Sequence, residues 1–207
     1  YTHISAYPEA LNGYNDYYDM VYDFTNVLLQ KSIKKILWDE NKLVLEDGEI
    51  DYDYLLITIS PDIFFDFELG KLDYIGRDLT TIVLPTEFAF PEDVFFTYYA
   101  GDEPYTRIVE YKKFTRYKSN STLLGLEIPS RNGRHYPLPI KREMELAQKY
   151  HMLVPENVRF SGRAGSYRYM VDIDDCIEQA LHFANWIKEG GTSEGHPVLL
   201  EKWQKFV

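Results

Sequence analysis

Three short stretches of this chain combine residue types suited to an anionic, oxygen-rich ligand. In Val158-Arg159-Phe160-Ser161-Gly162 a strand pattern runs into Arg163, the turn residues Ala164-Gly165-Ser166 and then an apolar helical run. A helix amino terminus presents unpaired backbone donors and a partial positive charge, so a phosphate can sit there. Gly162 and Gly165 would let backbone approach such a ligand closely, and Arg163 would add a charge-assisted contact. The alternative is that the glycines only turn the chain and that Arg163 is solvated or paired with Asp172.

The second stretch is Pro104-Tyr105-Thr106-Arg107-Ile108-Val109-Glu110-Tyr111-Lys112-Lys113-Phe114. As a strand it places Arg107, Val109 and Tyr111 on one side and Ile108, Glu110 and Lys112 on the other, and leaves open which side is buried. A guanidinium among tyrosines suits a diphosphate, because its planar fork matches phosphate oxygens and the rings exclude water. Against that stands an Arg107 paired with a glutamate on a wet sheet. In the third stretch, His135-Tyr136-Pro137-Leu138-Pro139, two prolines fix an extended loop and hold Tyr136 in one direction, toward a ligand or over the core. Ser130, Asp102 and His135 share no nucleophile elbow, so a hydrolase triad is rejected and no catalytic side chain is assigned.

The elements that must position these residues follow from periodicity. Tyr17, Met20, Val21 and Phe24 sit at helical spacings over 14–25. Val27-Leu28-Leu29, 33–38, 42–45 and 54–59 read as strands of a small meander that returns to a buried strand, and Ser60-Pro61 should end that strand in a loop. Extended runs at 80–84, 94–99, 107–111 and 122–128 predict an antiparallel sheet. Helical spacing then resumes after Pro139 through Met144, Leu146, Ala147, Tyr150 and Leu153. Ile173, Ile177, Ala180, Leu181, Ala184 and Ile187 predict a helix that stops at Gly190-Gly191, and 197–207 predict a short final helix.

Composition limits the function classes. The 207 residues fit one domain or two intimately joined ones, and 45% apolar content fits a folded core. Lysine and arginine number 22 against 33 acidic residues; the net charge of −11, with no basic run, disfavours nucleic acid. No stretch approaches a bilayer span and no leader is visible, so a cytoplasmic chain is expected. Cys176 is alone, so neither a disulfide nor a metal site is expected. The 18 tyrosines and 12 phenylalanines give many ring faces for packing or for stacking on a planar or saccharide ligand.

In their joint order these segments resemble the carboxy-terminal part of UDP-galactopyranose mutases. Residues 50–56 and 64–72 are similar to the family's strand and "FFDYKFGKL" stretch, Pro104 to Glu110 to its "PYTRIIEHK" strand, His135 to Pro139 to its "YYPVP" loop, and Gly162 to Tyr169 to its "GRLGTYRY" segment. The resemblance implies a mixed α+β and α/β fold, the distal part of a Rossmann-like FAD-binding fold with an inserted antiparallel substrate-binding sheet. It divides the chain into a distal FAD-domain segment at 1–62, the substrate-binding sheet at 63–150, a returning FAD-domain strand, loop and helix at 151–190, and a tail at 191–207. It implies that Arg107 contacts the substrate diphosphate and that Tyr136 reaches the diphosphate or the adjoining sugar. Arg163 would lie near flavin and phosphates, Tyr169 would close the site, and Tyr7 would stand where the family has a tyrosine before a "GLPKGGY" run. Gly162, Arg163, Asp172, Ile173 and Asp174 would line the flavin, with either Asp172 or Asp174 meeting it.

The implied function is interconversion of UDP-galactopyranose and UDP-galactofuranose, a step toward cell-surface polysaccharides, through an adduct between the sugar and N5 of reduced FAD. A UDP-galactose-type sugar nucleotide is the expected partner, and a homo-oligomer is compatible with the sequence. The chain opens at Tyr1 and lacks the G-x-G-x-x-G fingerprint, so it reads as a fragment that should not hold FAD well, or turn over, alone. Two alternatives are an amine-oxidase-like flavoprotein fragment and a non-catalytic sugar-nucleotide- or glycan-binding domain.

Overall fold

A computed structural model describes residues 7–191. The first elements are α1 (Asn15–Tyr22), β1 (Ile33–Leu37), β2 (Lys42–Leu45), β3 (Glu49–Asp51), β4 (Leu55–Ile57) and α2 (Pro61–Phe64). The middle holds β5 (Tyr74–Leu84), β6 (Phe96–Tyr98), β7 (Arg107–Glu110), α3 (Lys112–Thr115) and β8 (Thr122–Ser130). Then follow β9 (Tyr136–Pro137), α4 (Lys141–His151), β10 (Val158–Phe160), α5 (Gly162–Gly165) and α6 (Ile173–Lys188). The result is a mixed α/β fold containing an antiparallel sheet, and it divides into two compact units. One comprises Tyr1–Gln30 and Gly76–Gly133, the other Lys31–Ile75 and Arg134–Val207.

The first unit is built on antiparallel strands in the order β6-β7-β8-β5, with residues 76–84 of β5 paired to β8. Register decides which face carries chemistry. Tyr98 stands opposite Arg107, Arg107 opposite Glu127, and Glu127 opposite Leu79, two residues from Arg77, so Tyr98, Arg107, Glu127 and Arg77 share one face. Glu110 points to the other face with no solvent exposure. Its carboxylate accepts the Ala89 and Phe90 amides and the Thr122 hydroxyl, and Lys113 lies 3.5 Å away, which ties the connection before β6 to the sheet.

In the second unit β1, β2 and β3 form an antiparallel meander in which 33–37 and 42–45 were expected and β3 was not, while β4, expected as its returning strand, pairs in parallel with β10 instead. Residues 74–75 of β5 pair with β9. Asp62, fully buried, accepts hydrogen bonds from the Ser60 hydroxyl, the Ile63 and Leu72 amides and the Arg134 guanidinium, whose flat face lies 4.0 Å from the Tyr74 ring centroid. Every lone pair of a desolvated carboxylate is thereby used, the condition under which such burial is tolerated. Leu72, Tyr74, Ala147, Tyr150 and Tyr167 form one core, and Ile57, Val158 and Phe160 another.

Several sequence expectations change. Val27-Leu28-Leu29 is not a strand: the ladder of β1 and β2 ends at Ile33 opposite Leu45, and the turn after Leu45 leaves no partner for residues 27–29. Ser60-Pro61 leads into α2 rather than a loop, with proline at the first helical position where its missing N–H costs nothing. The buried strand is three residues long, β5 extends back to Tyr74, and Gly162–Gly165 forms one helical turn. Ile173, Ile177 and Leu181 of α6 are exposed, while Gln179 and Trp186 are its buried residues. The final helix expected at 197–207 lies outside the described residues.

Candidate functional site

On the row shared by Tyr98, Arg107, Glu127 and Arg77, Arg107 donates through Nε and Nη2 to Glu127 Oε1 at 2.9 and 2.6 Å, and Arg77 pairs with Glu127 Oε2. The two guanidiniums thus share the Glu127 carboxylate, which holds both in place. Arg107 also donates to the Tyr98 hydroxyl at 3.3 Å, and its guanidinium carbon lies 5.6 Å from both the Phe96 and Tyr98 ring centroids. The glutamate pairing of Arg107 is therefore real, and it sits within the aromatic surroundings expected of an anion contact. Tyr7 meets Phe114 edge-on at 4.9 Å and lines a cavity of about 590 Å³ together with Phe95, Phe96, Phe114 and Arg116. Phe96 is thus common to the cavity wall and to the arginine cluster.

The second unit gathers Tyr136, Arg163, Tyr169 and Asp172. The Arg163 guanidinium carbon lies 5.6 Å from the Tyr136 ring centroid and 5.9 Å from that of Tyr169, and the two rings are 5.6 Å apart. Arg163 is held by the Val171 carbonyl at 2.9 Å and by Asp172 Oδ1 at 2.5 Å, so the pairing with Asp172 considered from sequence occurs alongside the aromatic contacts. Asp172 is the N-cap of α6 and shares a capping box with Asp175. Gly162 adopts φ +73°, and its amide donates to Gln179 Oε1 at 2.8 Å rather than facing outward. Gly165 is required by packing, since a Cβ there would lie 2.6 Å from the Ile57 carbonyl oxygen of β4.

The expected residues thus fall into two groups, Tyr7 with Arg107 in the first unit and the others in the second. Arg77, Glu127 and Tyr98 were not singled out by sequence reasoning. Only strand register brings together side chains 20 and 30 positions from Arg107, although an acidic residue in the middle of the apolar run of β8 was a visible anomaly. Residues 173 and 174 open a 16-residue helix, and helix geometry leaves their N–H groups without intrahelical acceptors. Those N–H groups suit the acceptor-rich edge of a flavin ring, whereas Asp172, Asp174 and Asp175 around them repel phosphate. The residues present therefore fit the ring end of FAD and not its diphosphate.

Comparison with known proteins gives the family and the fold. A family model described as UDP-galactopyranose mutase matches residues 1–169. A probable UDP-galactopyranose mutase of Klebsiella pneumoniae is 28% identical over 198 residues, 90% of this chain and 47% of that protein. The dTDP-fucopyranose mutase of Escherichia coli is 30% identical over 146 residues, 64% of this chain and 37% of that protein. The chain therefore spans less than half the length of these two relatives. In fold it is similar to a reduced UDP-galactopyranose mutase crystal structure, with TM-score 0.71 and 16% identity over 91% of this chain and 54% of the other. A putative protoporphyrinogen oxidase from Exiguobacterium gives TM-score 0.62 and 11% identity over 87% and 52%.

Proposed function

Because this chain belongs to the UDP-galactopyranose mutase family, we propose that it contributes the sugar-nucleotide-binding sheet and the flavin-side return of an FAD-dependent mutase converting UDP-galactopyranose and UDP-galactofuranose. The family match over residues 1–169 carries this reading. Residues 63–150 are assigned to substrate binding, and 1–62 with 151–190 to the distal part of a Rossmann-like FAD domain, a functional division that cuts across the two compact units. Reduced FAD supplies the covalent chemistry at the anomeric carbon.

The chain's own residues bind, orient and compensate charge. Arg107, with Arg77 beside it, would receive the diphosphate as it departs, because guanidiniums held in place beforehand stabilise developing charge without reorganising. Tyr136 and Tyr169 would flank the sugar and exclude water, with Arg163 between ring and phosphates. Asp172 is committed to Arg163 and to the helix cap, which leaves Asp174 as the acid available to the flavin edge. The fucopyranose named for the Escherichia coli relative makes the shared element the pyranose–furanose interconversion of a nucleoside-diphosphate sugar, with galactose as this chain's proposed sugar.

The test is to express the chain within its full native reading frame, load that protein with FAD, reduce it, and separate the two ring forms by chromatography. Arg107→Ala is expected to slow conversion by about 100-fold or more. A folded, reduced, FAD-loaded protein that converts neither UDP-galactose nor a dTDP-deoxysugar would falsify the assignment, and UDP binding without FAD or turnover would favour a sugar-nucleotide-binding module. The likeness to the oxidase is one of fold alone at 11% identity and lends no support to amine oxidation.

A further inference from the structure

We infer that Tyr167 is a positioning residue whose hydroxyl, set between the Asp73 carbonyl and the Leu138 amide, fixes the spacing of Tyr136, Arg163 and Tyr169 in the second unit. The identity of the ligand this cluster serves rests on the proposed function; the positioning itself does not.

Tyr167 is buried to 2% exposure and meets Tyr74 edge-on at 5.3 Å. Its phenol donates to the Asp73 carbonyl and accepts the Leu138 amide at 3.2 Å. Desolvation pushes its pKa well above the usual tyrosine range, so the hydroxyl keeps its proton and stays a donor. Its φ of +49° is a left-handed conformation that side chains other than glycine rarely adopt. That turn sends the chain from α5 back across the cluster. The Tyr167 amide bonds the Ala164 carbonyl and the Arg168 amide the Arg163 carbonyl, so the helical turn carrying Arg163 is closed by the two residues before Tyr169.

The other arm is Tyr136-Pro137-Leu138-Pro139. Two prolines stiffen it, so what holds Leu138 also orients Tyr136. One phenol therefore anchors both arms, two residues from each tyrosine that faces Arg163. A purely structural buried tyrosine would serve stability without that geometry. Tyr150 is such a residue: fully buried in the same core, its hydroxyl donates to the Gly70 carbonyl at 2.7 Å and accepts the Leu69 amide at 2.9 Å, away from the cluster. It provides a matched control.

The experiment compares the full chain with Tyr167→Phe and Tyr150→Phe, reading thermal stability, nuclear Overhauser contacts between the Tyr136 and Tyr169 rings, and UDP affinity by calorimetry. Both variants should lose stability to a similar degree. Only Tyr167→Phe should lose the ring–ring contacts, and UDP affinity should fall about ten-fold or more with it. Tyr167→4-aminophenylalanine restores the donor to Asp73 but accepts poorly from Leu138, so it should loosen Tyr136 alone; this variant also serves if Tyr167→Phe fails to fold. Ring contacts equal in the two phenylalanine variants, or Tyr136 unmoved in the amino variant, overturn the inference. A wild-type chain that shows the ring contacts yet binds no UDP would count against the proposed function and leave the positioning result to be read from the contacts.

Discussion

Glu110 and Glu127 lie on opposite faces of one sheet and use the same functional group for different ends. Glu110 has no exposure, and its four partners come from two connections and a neighbouring strand. Burial alone would raise its pKa, but the Thr122 hydroxyl, the Ala89 and Phe90 amides and the Lys113 ammonium outweigh that and hold it below the usual glutamate range. Glu110→Gln retains the shape yet turns acceptors into a mixed amide, so at least one buried donor loses its partner. The expected loss is about 1.5–3 kcal/mol, which a chain of this size shows as about 2–4 °C per kcal/mol in a thermal melt. Glu127→Gln should cost less, because its arginine partners reach solvent, their side chains being about a third exposed or less. Equal losses in the two melts would contradict the view that Glu110 is the structural carboxylate and Glu127 the one that serves Arg107.

At the scale of elements, α5 and the start of α6 place Arg163, and both depend on close fits. A methyl group at residue 165 would meet the backbone oxygen of Ile57, which cannot move without breaking its bond from the Ser161 amide. Gly165→Ala should therefore destabilise by about 1–3 kcal/mol and shift the amide resonances of residues 161–169 more than those of β1 and β2. Asp172→Ala removes the cap of α6, at about 1 kcal/mol, and frees Arg163, so it should lower the melting temperature while making the guanidinium more mobile by relaxation measurements. Much of this was legible in advance: the 3.6 spacing identifies α4 and α6, extended runs identify β7 and β8, and Pro61 marks a boundary. Periodicity did not say which side of α6 is covered, since Ile173, Ile177 and Leu181 satisfy the pattern and remain exposed. Nor did it disclose β5 before residue 80, where Gly76, Arg77 and Asp78 break the apolar run and pairing with β8 and β9 decides. The Arg77–Glu127–Arg107 row and the Tyr167 anchor needed register and a left-handed turn, neither of which leaves a local signal.

For the molecule as a whole, the two units carry different acid-sensitive groups. In the second, His151 packs 5.1 Å from Phe160 and its Nε2 donates to the Gly165 carbonyl at 3.0 Å. Burial lowers its pKa below the usual histidine range; the bond to Gly165 opposes this and the Arg168 charge adds to it. The unfolded chain therefore takes up a proton there before the folded one does, and stability is lost as pH falls below the unfolded histidine value of about 6.5. Glu110, in the first unit, has a lowered carboxylate pKa, so its contribution is complete above the unfolded value of about 4.3 and is lost only at lower pH. Trp38 and Trp186 both belong to the second unit and the first contains no tryptophan, so tryptophan fluorescence reports the two units unequally. The fluorescence-detected urea midpoint should decline from about pH 6.5 downward, while amide signals of β7 and β8 hold until the carboxylate range. His151→Gln, which keeps a neutral donor for Gly165, should flatten the first decline and leave the second unchanged. A fluorescence midpoint that is level between about pH 7 and about pH 5 would remove His151 from this role and leave acid sensitivity to the carboxylates alone.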